Sequence, residues 1–184
     1  MISILSLLLQ TAAAPAPAPA PAPAAAPVAP WTVVVRPKTD PAMTTTVVSA
    51  PASDGSGRLV VKCDSGAQQV VSVQFLSKTA LGGPPDRPVT LTIDGGTPMG
   101  ANWEFVEKGA FIRDDMAVTT ITAALATSKA IKLATTTAAG VAVNATFAGP
   151  PSAAPITKVL AACGYTLGTP PVRAPQPAPT PAAK

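Results

Sequence analysis

Apolar and polar residues alternate along much of the chain between residues 31 and 169, in short runs rich in valine and threonine. A period of two is typical of β-strands that bury one face, and the clusters of proline, glycine, aspartate and serine between the runs favour turns. The pattern therefore predicts nine strands, at residues 31–36, 44–50, 58–63, 70–76, 89–93, 103–106, 110–112, 131–135 and 141–147.

Two segments follow the period of an α-helix instead. Asp114 is placed to cap a first helix over residues 115–126, and Ser152 to cap a second, which has Pro155 in its first turn. Together with the strands, these helices predict an α+β fold, a mostly antiparallel β-sheet with two helices packed on one face. The apolar stripes of the two helices are formed by Val118, Ile121 and Leu125, and by Ile156, Val159, Leu160 and Cys163.

Both ends of the chain differ in composition from its centre. The first nine residues are mostly apolar and are followed by small residues, which is the pattern of a secretory signal peptide. An Ala-Pro repeat and a Pro-rich C-terminal segment together hold 13 of the 23 prolines, and such segments favour extended chain that does not pack. We therefore predict a signal peptide at 1–13, a linker at 14–30, a single exported α+β domain at 31–169 and a disordered tail at 170–184.

The remaining chain contains no apolar run of about 20 residues, the length that a membrane-spanning helix needs. We therefore expect no membrane span in the mature form, and a periplasmic or secreted location. In an oxidising compartment two cysteines favour a disulfide, so Cys63 and Cys163 are predicted to pair. The alternative is two free thiols, one of them nucleophilic, but that thiol would lack a histidine base.

Histidine is absent from the chain, and this excludes several kinds of site. Ser-His-Asp and Cys-His catalytic groups and His-ligated zinc all require an imidazole. Two cysteines cannot form a four-thiolate zinc or iron–sulfur site within one chain. We therefore predict that the protein is not an enzyme and that it holds no cofactor and no metal.

Few carboxylates are placed where they could form a catalytic site. Asp94, Glu104 and Glu107 are near enough in sequence to cluster, as a glycosidase would require. Asp94 precedes two glycines, however, a position more typical of a turn residue that bonds its own backbone. Ser56 could act only with a lysine such as Lys62, and no S-x-x-K motif surrounds it.

Basic side chains are also sparse. Arg36 with Lys38 and Arg58 with Lys62 come nearest to a patch, and residues 31–169 carry 11 basic and nine acidic side chains. Nucleic-acid binding proteins have denser basic clusters with interleaved aromatic residues. We interpret these cations as solvated strand ends and expect no nucleic-acid partner.

Four short features follow one another along the chain: the sequence LVVKC at 59–63, Thr-Ile-Asp at 92–94, Trp103 and a closing helix that ends in Cys163. In this arrangement, over about residues 59–163, the chain resembles small exported bacterial envelope proteins. These are the VasI family associated with type VI secretion and the invasion-associated locus B-like proteins. The resemblance implies a periplasmic or outer-envelope accessory protein without catalytic activity, and no catalytic residue is carried over from it.

These patterns predict a non-catalytic exported protein that associates with an envelope or secretion-system protein or with the cell wall. The contact would involve the sheet face or the loop at residues 82–88. Two alternatives stay open. One is a His-independent hydrolase that uses carboxylates or a Ser/Lys pair, and the other is an inhibitor or sensor module that docks in a partner protein.

Overall fold

Nine antiparallel strands form one sheet in the computed structural model, which describes residues 31–39, 43–66 and 69–172. The predicted α+β fold is confirmed. Each predicted strand is present with bounds shifted by one or two residues, except that β6 begins four residues early. The strands are β1 (Thr32–Pro37), β2 (Thr44–Pro51), β3 (Gly57–Ser65), β4 (Val70–Ser77), β5 (Arg87–Ile93), β6 (Met99–Val106), β7 (Gly109–Ile112), β8 (Ala130–Thr136) and β9 (Ala142–Ala148).

The order of the strands across the sheet is β1-β2-β3-β4-β7-β6-β5-β8-β9. Consecutive strands are neighbours from β1 to β4 and from β8 to β9, whereas β5, β6 and β7 are inserted in reverse order. As a result β4 pairs with β7, and β5 pairs with β8. Helix α1 (Asp115–Thr127) connects β7 to β8, and helix α2 (Ala154–Ala162) follows β9.

The predicted signal peptide at 1–13 and linker at 14–30 lie outside the described residues, as does the predicted tail from residue 173 onward.

The two helices begin differently. Asp114 caps α1 as predicted, because its carboxylate accepts a hydrogen bond of 2.9 Å from the amide of Ala117. At α2 the residue in the cap position is Ala153, which already has helical dihedral angles and makes no side-chain cap. Ser152 is thus one residue too far from the helix, and its Oγ accepts only a longer bond of 3.4 Å from the amide of Ala154. The prediction that Ser152 caps α2 is therefore wrong.

The core lies between the helices and one face of the sheet, where α2 contacts β1, β2 and β3 and α1 contacts β4. Leu59, Val61 and Cys63 alternate along β3 and are fully buried there. Phe75 on β4 meets Phe147 on β9 edge to face, with ring centroids 6.2 Å apart. Because β4 and β9 are five places apart in the strand order, this contact requires the sheet to curve around its core.

A disulfide joins Cys63 on β3 to Cys163 at the C-terminal end of α2. The predicted pairing is confirmed, and the bond links residues 100 positions apart in the chain. It attaches the last helix to the middle of the first four strands. Cross-links over long loops stabilise a fold mainly by restricting the unfolded chain.

The segment before β5 is organised by one side chain, that of Arg87. Its guanidinium donates hydrogen bonds to the carbonyl oxygens of Leu81 at 3.0 Å, Gly83 at 2.9 Å and Pro85 at 3.3 Å. The same group stacks 3.8 Å from the ring centroid of Phe105. The loop at 82–88, one of the two contact regions expected from the sequence, is therefore held from within by its own arginine.

Replacing both cysteines by alanine is expected to lower the free energy of unfolding by up to about 4.7 kcal/mol, the chain-entropy value for a loop of this length. Urea unfolding of the oxidised protein, the reduced protein and the Cys63→Ala/Cys163→Ala variant measures the loss. The reduced protein is the control, because its unfolding midpoint should fall close to that of the variant. Equal midpoints for oxidised and reduced protein would contradict the assignment.

Arg87→Lys is expected to lower the free energy of unfolding by about 1–3 kcal/mol, because lysine keeps the charge but cannot form the several planar hydrogen bonds. Arg58→Lys is the matched control, since Arg58 is exposed and has no ion pair among the described residues. The control should change stability by less than about 0.5 kcal/mol. Chemical denaturation compares the two, and similar losses would argue against an organising role for Arg87.

Candidate functional site

One face of the sheet is left without a helix in the part of the chain that the structure describes. Since successive side chains of a strand point to opposite faces, the residues between the core positions of β1 to β4 all point to this second face. We call this surface, with the adjoining parts of β6 and β7, the open face. Its side chains include Val34, Arg36, Thr45, Val47, Arg58, Val60, Lys62, Asp64, Ser72, Gln74, Leu76, Glu104, Val106 and Phe111.

The open face is the outer face of the curved sheet, and its surface is uneven. Two depressions on it have volumes of about 590 and 490 Å³. Lys62, Gln74 and Leu76 line both depressions, so they form one continuous surface. Apolar side chains lie among the polar ones, and Val34, Leu76 and Val106 are exposed to solvent.

Positive charge is concentrated on this surface and its rim. The neighbouring carboxylates are Asp54 beside Lys78, Asp64, Glu104 and Glu107, so the cations exceed the carboxylates by three. From the sequence these cations were interpreted as solvated strand ends. The fold brings them to one surface. Seven of the 11 lysines and arginines among the described residues line it: Arg36, Lys38, Arg58, Lys62, Lys78, Lys108 and Arg113.

Asp64 is the best-connected carboxylate of the open face. It accepts bonds from the Nζ atoms of Lys38 at 2.9 Å and Lys62 at 2.7 Å, and from the hydroxyl of Thr45 at 2.7 Å. Partial burial acts to raise the pKa of Asp64, but the hydrogen bonds from Lys62, Thr45 and Lys38 outweigh it and lower the pKa to about 2. Two of the seven cations are therefore already paired with this carboxylate.

A second ion pair lies on the β6–β7 side. Arg113 donates to both carboxylate oxygens of Glu104, with nitrogen–oxygen distances of 2.7 and 2.8 Å. Its guanidinium also stacks over Phe111, 5.1 Å from the ring centroid. Arg36 and Arg58 have no ion pair among the described residues, so their charges stay available to an incoming group.

Of the three carboxylates that might have formed a catalytic cluster, Asp94 is separated from Glu104, and Glu107 borders the depression beside β6 and β7. Asp94 lies beyond the end of β5, and its carboxylate accepts the amides of Lys129 at 2.9 Å and Ala130 at 2.7 Å. These bonds from Ala130 and Lys129 lower the pKa of Asp94 and connect β5 to the start of β8. Glu104 lies towards the opposite end of the β5–β6 pair and is held by Arg113. Asp94 thus lies in a turn, as its sequence context indicated, but its carboxylate binds backbone at the start of β8 and not that of its own turn.

Ser56 and Lys62 are also kept apart. Ser56 directly precedes β3, and Lys62 lies six residues further on, which corresponds to about 20 Å along a strand. The amide of Ser56 donates to Asp54, and its buried Oγ makes no hydrogen bond. The two residues therefore do not form a Ser/Lys pair.

The described residues contain no group of three or more His, Cys, Asp or Glu side chains that could hold a metal ion. Within the same residues no helix has the length and apolar character needed to cross a membrane.

Comparison of the chain with models of protein families, with curated proteins and with solved structures found no match.

Sequence reasoning expected a contact through the sheet face or the loop at 82–88, but it did not identify which residues form that face, although their signal was present. On β3, Arg58 and Lys62 lie four positions apart. Because side chains of a strand alternate between its faces, these two point to the same face. That they join Arg36 depends on the register in which β1 and β3 pair with β2, with Arg36 opposite Thr45 and Lys62 opposite Val47. The alternation along a strand predicts which cations of that strand share a face. Only the pairing of the strands determines that cations of different strands meet on the open face.

Asp64 generates a prediction about acid stability. Because its pKa falls from 3.8 in the unfolded chain to about 2 in the folded protein, its contribution is complete above about pH 4 and is lost as the pH falls towards 2. Asp64→Asn should therefore show a smaller loss of stability between pH 4 and pH 2 than the native protein. Urea unfolding at several pH values measures this. Asp86→Asn, at an exposed carboxylate with no ion pair among the described residues, is the control. A native-like acid profile for Asp64→Asn would contradict the assignment.

Proposed function

We propose that this protein is a non-catalytic exported accessory protein that binds another component of the cell envelope through the open face. The observation that carries the proposal is the open face itself, whose two depressions are lined by exposed apolar side chains and which carries an excess of three cations. Antiparallel sheets often leave one face to water, but that face is then ordinarily polar throughout. Exposed apolar side chains grouped on one surface are typical of an interaction site.

Export to the periplasm or to the exterior is supported by two independent features. The disulfide between Cys63 and Cys163 fits an oxidising compartment, since such bonds are rare in cytosolic proteins. The N-terminal pattern of an apolar stretch followed by small residues supports the same location. The resemblance to small exported envelope proteins agrees with both, and it makes a secretion-system or other envelope protein the preferred partner.

A binding role is supported further by what the carboxylates do. Asp64 is bound by two lysines, Glu104 by Arg113 and Asp94 by backbone amides. General acid–base hydrolysis needs two carboxyl groups that converge on one cleft, with the pKa of one of them raised. The pKa shifts of Asp54, Asp64 and Asp94 are all downward. These contacts favour structural roles over hydrolysis.

The proposal is tested by photo-crosslinking in intact cells that export the full chain. A photoreactive phenylalanine analogue is placed at Leu76, which is 40% exposed in the middle of the open face. The control position is Met116 on α1, which is 62% exposed and belongs to the helical layer. We expect Leu76 to give one dominant adduct, and Met116 to give none despite its greater exposure.

Equal labelling from both positions, or no adduct from Leu76, would contradict binding through the open face. Hydrolytic turnover by the purified protein that is lost in a single carboxylate variant would favour the hydrolase alternative instead.

A further inference from the structure

The two edges of the sheet are treated differently by the fold. The outer edge of β9 is partly covered, because Thr146 accepts a bond of 2.8 Å from the amide of Ser53 and Ala148 accepts one of 2.9 Å from the indole of Trp31. Among the described strands, β1 forms the opposite edge and pairs only with β2. No comparable bond reaches its outer side over residues 33–36 among the described residues. An uncovered edge offers a row of amides and carbonyls to a further strand.

The side chains of β1 are also unusually apolar for a free edge. Val34 is 38% exposed and Val35 is 54% exposed. Natural proteins commonly protect such edges with charged residues and proline. Here Arg36 and Pro37 stand only at the end of the strand, so the valines before them stay accessible to a partner.

Charge selects the kind of strand that fits. Arg36 has no ion pair among the described residues, whereas Lys38 is paired with Asp64. Arg36 and Val34 both point to the open face, because they lie opposite Thr45 and Val47 on β2. A strand added beside β1 would place its alternate side chains on this same face. Carboxylates at those positions would meet Arg36, and apolar side chains at the alternate positions, on the other face, would meet Val35.

We propose that the occupant of the β1 edge is an acidic segment of a partner protein that binds as a tenth strand, with carboxylates beside Arg36. This inference rests on the proposed function, because it names the partner chemistry of the same face. A peptide fits better than an acidic glycan, since only a peptide offers amides and carbonyls that match a strand edge. A second copy of this chain fits less well, because antiparallel β1 pairing would bring two cationic faces side by side.

The test measures binding of fluorescent peptides to the full chain by anisotropy. One peptide has eight residues of alternating Glu and Val, and its matched control has alternating Lys and Val. Two further Glu/Val peptides carry N-methyl groups on one or the other alternate set of amides. In a strand, only one set of amides faces the neighbour. We expect the Glu/Val peptide to bind, the Lys/Val peptide not to bind, and only one of the two methylated peptides to lose binding.

Two exposed arginines give a matched pair of variants on the protein. Arg36→Ala should weaken binding of the Glu/Val peptide about tenfold, the value for one lost hydrogen-bonded charge pair. Arg58→Ala, on the same face but two strands from the edge, should weaken it less than about twofold. Circular dichroism and urea unfolding of both variants confirm that they fold.

Several outcomes would overturn the inference. Equal losses for the two arginine variants, or equal binding of both methylated peptides, would mean that the face binds anions without pairing strands. Equally tight binding of polygalacturonate would favour a glycan. A dimer in sedimentation velocity would assign the edge to a second copy if Arg36→Glu abolishes that dimer and the Glu/Val peptide does not dissociate it. Failure of the proposed function is distinguishable from all of these, because it would appear as loss of the Leu76 adduct in cells.

Discussion

Helix α2 lies against the core face of β1, β2 and β3, and the bond between Cys63 and Cys163 attaches its C-terminal end to β3. Because side chains of a strand alternate, this single docking determines the environment of every residue in the neighbouring strands. The positions under the helix become core, as at Leu59 and Val61, and those between them face outward, as at Lys62. The open face is therefore a direct consequence of where the helices pack.

The same constraint explains why the cations collect on one side. A lysine or arginine is rarely tolerated under a helix without a partner, so on a sheet buried on one face the charges are restricted to the other. Asp64 partly compensates this accumulation by binding Lys38 and Lys62, and Glu104 does so for Arg113. Arg36 and Arg58 are left over. Local charge balance is incomplete on this surface, as is common where an oppositely charged partner binds.

The sequence was sufficient to predict the strands and helices, because these depend on local patterns. It was insufficient to predict how the strands are arranged, because that depends on long-range pairing. The nine strands and two helices follow from local periods, and the cap by Asp114 depends on residues only three apart. The reversed insertion of β5 to β7 depends on long-range pairing that no local pattern contains. The Asp64 site likewise joins Lys38 to residues beyond the next strand. The disulfide was predictable, since two cysteines allow only one intramolecular pairing.

The contrast between the two sheet edges links the fold to its proposed use. A sheet that curves towards closure brings β9 near the end of β2, where Ser53 and Trp31 occupy part of its outer edge. This contact between β9 and the end of β2 does not cover the outer edge of β1, which lies one strand beyond β2. An edge left open by incomplete closure is a hazard for aggregation unless something limits its partners. The single Arg36 among three valines supplies that limit, because it favours strands that carry carboxylates and disfavours strands that carry cations. On this argument, selectivity at β1 comes from charge and affinity comes from the backbone and the valines.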